Sequence, residues 1–386
     1  MLGALRKPLT DRYITAICLT SALFALARGA DGQATWRVDS TPYLDIAATA
    51  RDGQVIIGDL GGAVRHNDGS IIVADKSSWN VRHFDGNGRL LRTSGREGDG
   101  PGEFRGLSWI GRCGTDTSFV WDLRHRRMSA IDLTGRVARQ FRLPLNPSEP
   151  TPYVFSCSSP NWLVMIGEPP LVDLPTRNNQ SARLPAPVVV TNTEGRVLRT
   201  LATVNTREFT MSARASAPLP RPLGLQTWLA AGKQRVYVGT GDSSVVHVYN
   251  VTGGRSGTIR LTGSPRPATR KHFETAVDEI ISFEDDADAR SMLRRLFIEL
   301  PMPAHLPPHG ALIVDSEELL WVVRSIIGDP QTDIDVFDGT GTRIARVSIP
   351  RFINVYQVGN DFILGGYTDA AGEQHLLGYR LRRGPG

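Results

Sequence analysis

Four carboxylates in this chain share one kind of position. Asp75, Asp122, Glu168 and Asp242 each stand at or just after the end of a short β-like run: SIIVAD (70–75), SFVWD (118–122), NWLVMI (161–166) and RVYVGT (235–240). Carboxylates converging from separate strands onto one opening suit calcium, which takes several oxygen ligands. A metal held that way supports hydrolase or lyase chemistry. An Asp at a strand end also bonds the amides of the turn that follows it. The corresponding place after the fifth run, LLWVVR (319–324), holds Arg324, which no calcium site would use. Turn capping is therefore the first reading of these four residues, and calcium the cofactor that the second would require.

Other reactive side chains are sparse. Cys113 and Cys157 form a disulfide if the fold brings their Cα atoms within about 7 Å; zinc would need more Cys or His at ligand spacing. His305 and His309, in HLPPH, are four apart, but the prolines exclude the helix that would aim both at one metal. His83 and His247 fall inside strand candidates. Neither G-x-S-x-G nor H-E-x-x-H occurs, and no catalytic residue is assigned. The stretch GREGDGPGEF (95–104) holds four glycines and a proline. A P-loop would continue with Lys and Ser or Thr, and a dinucleotide loop would open a helix. Here a β-like segment follows, so the glycines serve a tight crossing between sheets.

The elements that position these residues are repeated. An Asp or Asn, two residues, then Gly recurs in FDGNG (84–88), IDLTG (131–135), TNTEG (191–195), YNVTG (249–253) and FDGTG (337–341), each between two short strand candidates. The Asp or Asn side chain opens such a turn and the Gly supplies the positive φ that closes it. Further strand candidates lie upstream of each copy, and DFILGGY (361–367) with HLLGYRLR (375–382) begins a sixth unit that is one strand short. The pattern predicts an all-β, six-bladed β-propeller of four-stranded antiparallel blades, with ATWRVDS (34–40) as the strand that closes the ring. Apolar residues at helix spacing, Phe273, Val277, Ile280 and Ile281, then Ala289, Leu293, Leu296, Phe297 and Leu300, place a helical insertion at about 265–305, between the fourth and fifth units. This pair covers a blade edge or part of the channel mouth; a lid or a partner-docking surface is the sharper alternative. The run EDDAD (284–288) reads as a solvated helix start, since it lacks calcium-loop spacing.

The glycine-rich stretch, together with IIVADKSSWNVRHFDGNGRLL (71–91), resembles the NHL-type propeller repeat in its Gly-Pro-Gly-Glu-Phe connection, its Val-Ala-Asp strand end and its Phe-Asp-x-x-Gly turn. The match covers residues 61–104. The whole chain also resembles exported bacterial six-bladed propellers of unassigned function. Some NHL-like and lactonase-like propeller enzymes carry carboxylates of this kind, which is what the metal-dependent alternative draws on.

Arg6, Lys7 and Arg12 precede an apolar run, Ile14–Ala27, that ends in Ala25-Leu26-Ala27. This describes a cleavable signal peptide, residues 1–27, too short to serve as a membrane anchor. Residues 28–386 then form a single propeller domain, periplasmic or secreted, with no transmembrane segment after cleavage. Losing residues 1–27 leaves a net charge of +3 from the full chain's +5. So mild an excess, with no basic stripe, excludes a nucleic-acid partner. Propeller topology collects the long segments 41–60, 167–185, 204–222 and 262–309 on one face, and binding residues favour loops on rigid scaffolds. The sequence thus points to a binding module whose loop-rich face meets a protein, peptide or glycan.

Overall fold

The computed structural model describes residues 36–49, 57–143, 151–158, 162–168, 174, 180–212, 214–215, 217–282, 284 and 286–384. The signal peptide assigned to residues 1–27, and parts of the long segments at 41–60 and 167–185, lie outside them. Six antiparallel sheets follow one another around a central channel. Their inner strands are Leu60–Arg65, Leu107–Arg112, Thr151–Ser158, Trp228–Ala231, Ala311–Val314 and Asn354–Val358. Blades one to five use consecutive strands, with a short fifth strand, Leu219–Pro220, added to blade three.

Blade six takes three strands from residues 354–382 and its outer strand from Arg37–Val38, which pairs antiparallel with Leu381 and Arg382. The closing strand falls inside the segment that the sequence nominated. A second short strand, Leu44–Asp45, pairs with Gly378 and Leu377 of the same neighbour and leads into a one-turn helix, α1 (Ile46–Thr49). Trp36 seals the closure against Trp321 of blade five with ring centroids 5.6 Å apart, and Arg383 stacks on both indoles.

The repeated turns form as their side chains dictate. Asp85 Oδ1 accepts the amides of Asn87 and Arg89, both at 2.9 Å, and Gly88 completes the turn at φ +85°. Asp132, Asn192 and Asp338 repeat the arrangement with Gly135, Gly195 and Gly341. At Gly135, a Cβ would lie 2.6 Å from the Cβ of His83 in the preceding blade. That turn glycine therefore provides both the positive φ and the room for two blades to meet.

Hydrophobic packing is distributed over six seams, one between each pair of neighbouring blades, as radial repetition requires. Val64, Ile72, Val81, Phe104, Leu107 and Val120 fill the seam between blades one and two; Trp321, Val336, Ile353, Leu377 and Tyr379 that between five and six. A second strand such as Ile71–Asp75 meets a neighbouring blade on each face and is buried along its whole length. This explains why the second strands read as unbroken apolar runs and do not alternate. The insertion between blades four and five contains α2 (Arg270–Ile280) and α3 (Ala287–Ile298). Phe273, Ala276, Val277 and Ile281 pack with Leu223, Phe297, Leu300 and Ile326 in a satellite core of their own.

Candidate functional site: the central channel

The inner strands enclose a cavity of about 1480 Å³ that runs the length of the channel. Its loop-rich mouth is walled by Ala276, Glu279 and Ile280 of α2, by Arg221 and Leu223 from the long connection after blade three, and by Tyr356 of blade six. At the other end stand Lys233, Asp315, Glu318 and Asn360. The helical insertion thus forms one side of the mouth.

Local chemistry fixes the helix in that place. Thr269 caps α2 by accepting the amide of His272 at 3.2 Å, and His272 Nδ1 accepts the amide of Thr269 in return. The other ring nitrogen, Nε2, meets Asp329 at 3.1 Å. Asp329 also accepts from the Ile326 amide and from Arg266, at 2.7 and 2.9 Å, so the start of α2 is clamped to blade five. A Cβ on Gly328, at φ +94°, would come within 2.9 Å of the His272 Cα and force the clamp open.

The mouth is polar in a specific way. Glu279 contacts channel solvent, but the surrounding protein raises its pKa by desolvation; Lys76 opposes this and Asp59 reinforces it. Lys76 and Asp59 pair with each other at 3.0 Å on blade one. Burial pushes the Tyr356 hydroxyl up as well, with Asp59 and Glu279 adding to the effect, so the phenol stays neutral. A carboxyl with a raised pKa, a neutral phenol and a nearby ion pair offer hydrogen-bond donors and acceptors suited to hydroxyl and amide groups.

Three of the four strand-end carboxylates, Asp75, Asp122 and Asp242, take other roles. Asp75 is fully buried; it accepts from the Ser77 amide and hydroxyl and the Ser78 amide, and pairs with Arg82 at 2.9 Å. Asp122, also fully buried, accepts the amides of Arg105 and His125 and the Nδ1 of His125 at 2.7 Å. Asp242 pairs with Arg183 of blade three, which is further held by the carbonyls of Asn205, Thr206 and Thr240. Glu168 ends the second strand of blade three, and its side chain lies outside the described residues. None of Asp75, Asp122 and Asp242 reaches the channel wall.

The glycine-rich stretch supplies its own anion. Glu103 folds back to accept the Gly100 amide and the Arg96 guanidinium, both at 2.8 Å, while Phe104 is buried in the seam beneath. Asp99 from the same stretch meets His125 Nε2 at 2.8 Å, which places this imidazole between two carboxylates. Cys113 and Cys157 are bonded, with Cα atoms 5.3 Å apart, and tie the inner strands of blades two and three together. His305 bridges Pro267 at the foot of the insertion, whereas His309 is 1 % exposed and lines the channel.

Two arrangements escaped the sequence, and a third was legible there but not counted. Glu279 and Tyr356 share one mouth only because the insertion folds over it, and no local signal marks them. The side chain of Asp369 opens a further Asp-x-x-Gly turn, with Gly372, between the second and third strands of blade six; this copy was visible in the sequence. Ligand atoms of Asp369, Glu373 and His375 lie within 4.8 Å of one another, and His375 Nδ1 meets Asp45 at 3.0 Å.

No family model matches the chain, and no curated protein matches it. Solved structures do resemble it. A protein of unknown function from Bacteroides thetaiotaomicron is 11 % identical, with 92 % of this chain and 78 % of that one covered and a TM-score of 0.47. A catalytically inactive virginiamycin B lyase from Staphylococcus aureus, with quinupristin, is 11 % identical over 84 % and 80 % of the two chains, TM-score 0.40. The calcium-binding protein regucalcin from Agrobacterium tumefaciens is 11 % identical over 86 % and 94 %, TM-score 0.40. Among the described residues, no helix is long and apolar enough to cross a membrane.

Proposed function

We propose that this protein is an exported binding module that receives part of a peptide or glycan through the loop-rich mouth of its channel. The observation that carries this reading is the channel cavity of about 1480 Å³, walled on one side of its mouth by α2. Pockets for drug-sized ligands span roughly 300–1,000 Å³, so the space suits a short oligomer. The polar wall residues Glu279 and Tyr356, with the Lys76–Asp59 pair acting on them, match the hydroxyls and amides such a ligand presents. Export rests on the signal-peptide pattern of residues 1–27, and an NHL-type first unit on residues 61–104.

The metal-dependent hydrolase or lyase reading has less support, because Asp75 and Asp122 already spend their oxygens on turn amides, Arg82 and His125. The test is ligand retention. Protein incubated with an envelope extract and purified is examined by native mass spectrometry beside Ser108→Trp and Asn354→Trp, two variants that fill the channel from exposed lining positions. The reading expects a retained compound on the wild type that both tryptophans remove. Equal retention by the folded, plugged variants would place binding elsewhere and end the proposal.

A further inference from the structure

Blade five carries an imbalance of charge. Asp335, fully buried on its third strand (Thr332–Phe337), faces three guanidinium groups. Arg346, from the outer strand, holds it through two bonds of 2.7 and 3.0 Å; Arg343 lies at 3.6 Å and Arg324 at 4.0 Å. Asp335 neutralises one of the three, and Asp333, two residues before it, acts on Arg346 as well, so the excess positive charge falls at the Arg324 end. Arg266, which also acts on Arg324, is already bound by Asp329. The row runs inward from Arg346, half exposed on the outer strand, to Arg324, whose side chain is 16 % exposed at the end of the second strand.

Arg324 and its neighbour leave donors unused. Nη1 of Arg324 is buried and has no acceptor. Beside it, the backbone of Gly310 bonds to Val323, which brings His309 next to Arg324 on the adjacent strand. His309 is 1 % exposed, and neither ring nitrogen has a partner. Gly239 of blade four makes room for it: a Cβ there would sit 2.5 Å from Nε2 and 3.2 Å from Leu312. Arg324 is the charged group acting on the ring, and burial with that charge lowers the His309 pKa to about 4. Near neutrality the imidazole is uncharged and offers one N–H. A water molecule could satisfy such donors, but it would leave the positive charge at the buried end of the row, beside Arg324, uncompensated.

We propose that the seam between blades four and five, where His309 lines the channel, binds an oxyanion. Arg324 Nη1 and the His309 N–H donate to it, and Arg343 contributes charge. The inference rests on the channel reading and adds to it that the ligand carries an acidic group, either a carboxylate or a phosphate or sulfate ester. Guanidinium and a neutral N–H together are a common way to hold both kinds of group.

The test uses the full mature chain and the simple ions. The His309 titration is followed by NMR in chloride, then in acetate, phosphate or sulfate at matched ionic strength, with thermal unfolding in parallel. A bound anion favours the imidazolium, so the His309 pKa should rise by about one unit or more, with a saturable increase in Tm. Arg324→Gln should weaken the anion about tenfold or more, and Arg343→Gln, at the more exposed end, should weaken it less. Saturation by acetate assigns a carboxylate; saturation by phosphate and sulfate alone assigns an ester. Sulfate also stabilises proteins by exclusion from their surface, so a rise that never saturates, or that persists in Arg324→Gln, overturns the proposal. So does an unmoved His309. Should Arg324→Gln fail to fold, the wild-type His309 titration and Arg343→Gln still decide. Simple anions bypass the Ser108→Trp plug: anion binding without ligand retention sinks the channel reading alone, and the reverse result sinks this inference alone.

Discussion

Acidification provides a direct measure of how His309 is held. Its pKa in the folded protein is about 4, against 6.5 for an ordinary histidine. Between those values the unfolded chain binds a proton at this position and the folded chain does not. Stability therefore rises with pH through the window and is lost as pH falls from about 6.5 to 4. Each unit of difference is worth about 1.4 kcal/mol, so this one residue removes about 3 kcal/mol across the window. Other groups titrate there too: His66, His83 and His247 are also lowered by burial, and many carboxylates begin to protonate. A non-titrating replacement isolates the contribution. Urea unfolding of the wild type and of His309→Gln, measured from pH 8 to pH 4 in chloride, should give a stability difference that is constant above pH 7. It should shift by about 3 kcal/mol towards the variant at pH 4. Parallel profiles would mean that His309 is not buried beside Arg324, and the reasoning about the seam would fall with it.

Three further outcomes follow from named contacts. Replacing Cys113 and Cys157 by Ser releases a loop with a sequence separation of 44, which should lower the unfolding free energy by roughly 4 kcal/mol in denaturant titrations. Asp122→Asn removes the charge that organises His125 and the Arg105 amide, and should cost about 2–4 kcal/mol while leaving ligand retention in the channel unchanged; unaltered stability would contradict its assignment as a cap. Gly95→Ala places a methyl 2.4 Å from the Phe104 ring at φ +88°, so Tm should fall by several degrees, a loss on the order of 1–3 kcal/mol.

The parts of this molecule written in contiguous residues were the legible ones. The side chains of Asp85, Asp132, Asn192 and Asp338 bond amides two and four positions later, so a short stretch contains all the physics of each turn. The helical insertion and the closing strand at Arg37 were similarly local or implied by counting strands. Asp75 and Asp122 could be placed at strand ends, but Arg82 and the Arg105 amide, which complete their surroundings, depend on how strands register. His309 shows the limit most clearly. Its prolines argued correctly against a helix, yet its burial depends on the absence of a side chain at Gly239, a residue of another blade. Glu279 reads as one polar position on an amphipathic helix, and acquires its environment only when that helix folds across the channel mouth.

The closure of the sixth blade also constrains when the ring can be finished. Asp39 and Arg382, which meet at 3.3 Å, are 343 positions apart. Bringing such distant segments together costs about 5 kcal/mol in chain entropy before any constant is added, and contacts of this range slow folding. Blades one to five can assemble in order from neighbouring strands as the chain emerges, while Trp36 and Val38 wait for Leu381. Until then blade six lacks its outer strand, and the edge left open is a row of unpaired amides and carbonyls that another chain can borrow. The last step of folding is then the one that covers the edge of Gln374–Arg382 with residues from near the other end of the sequence.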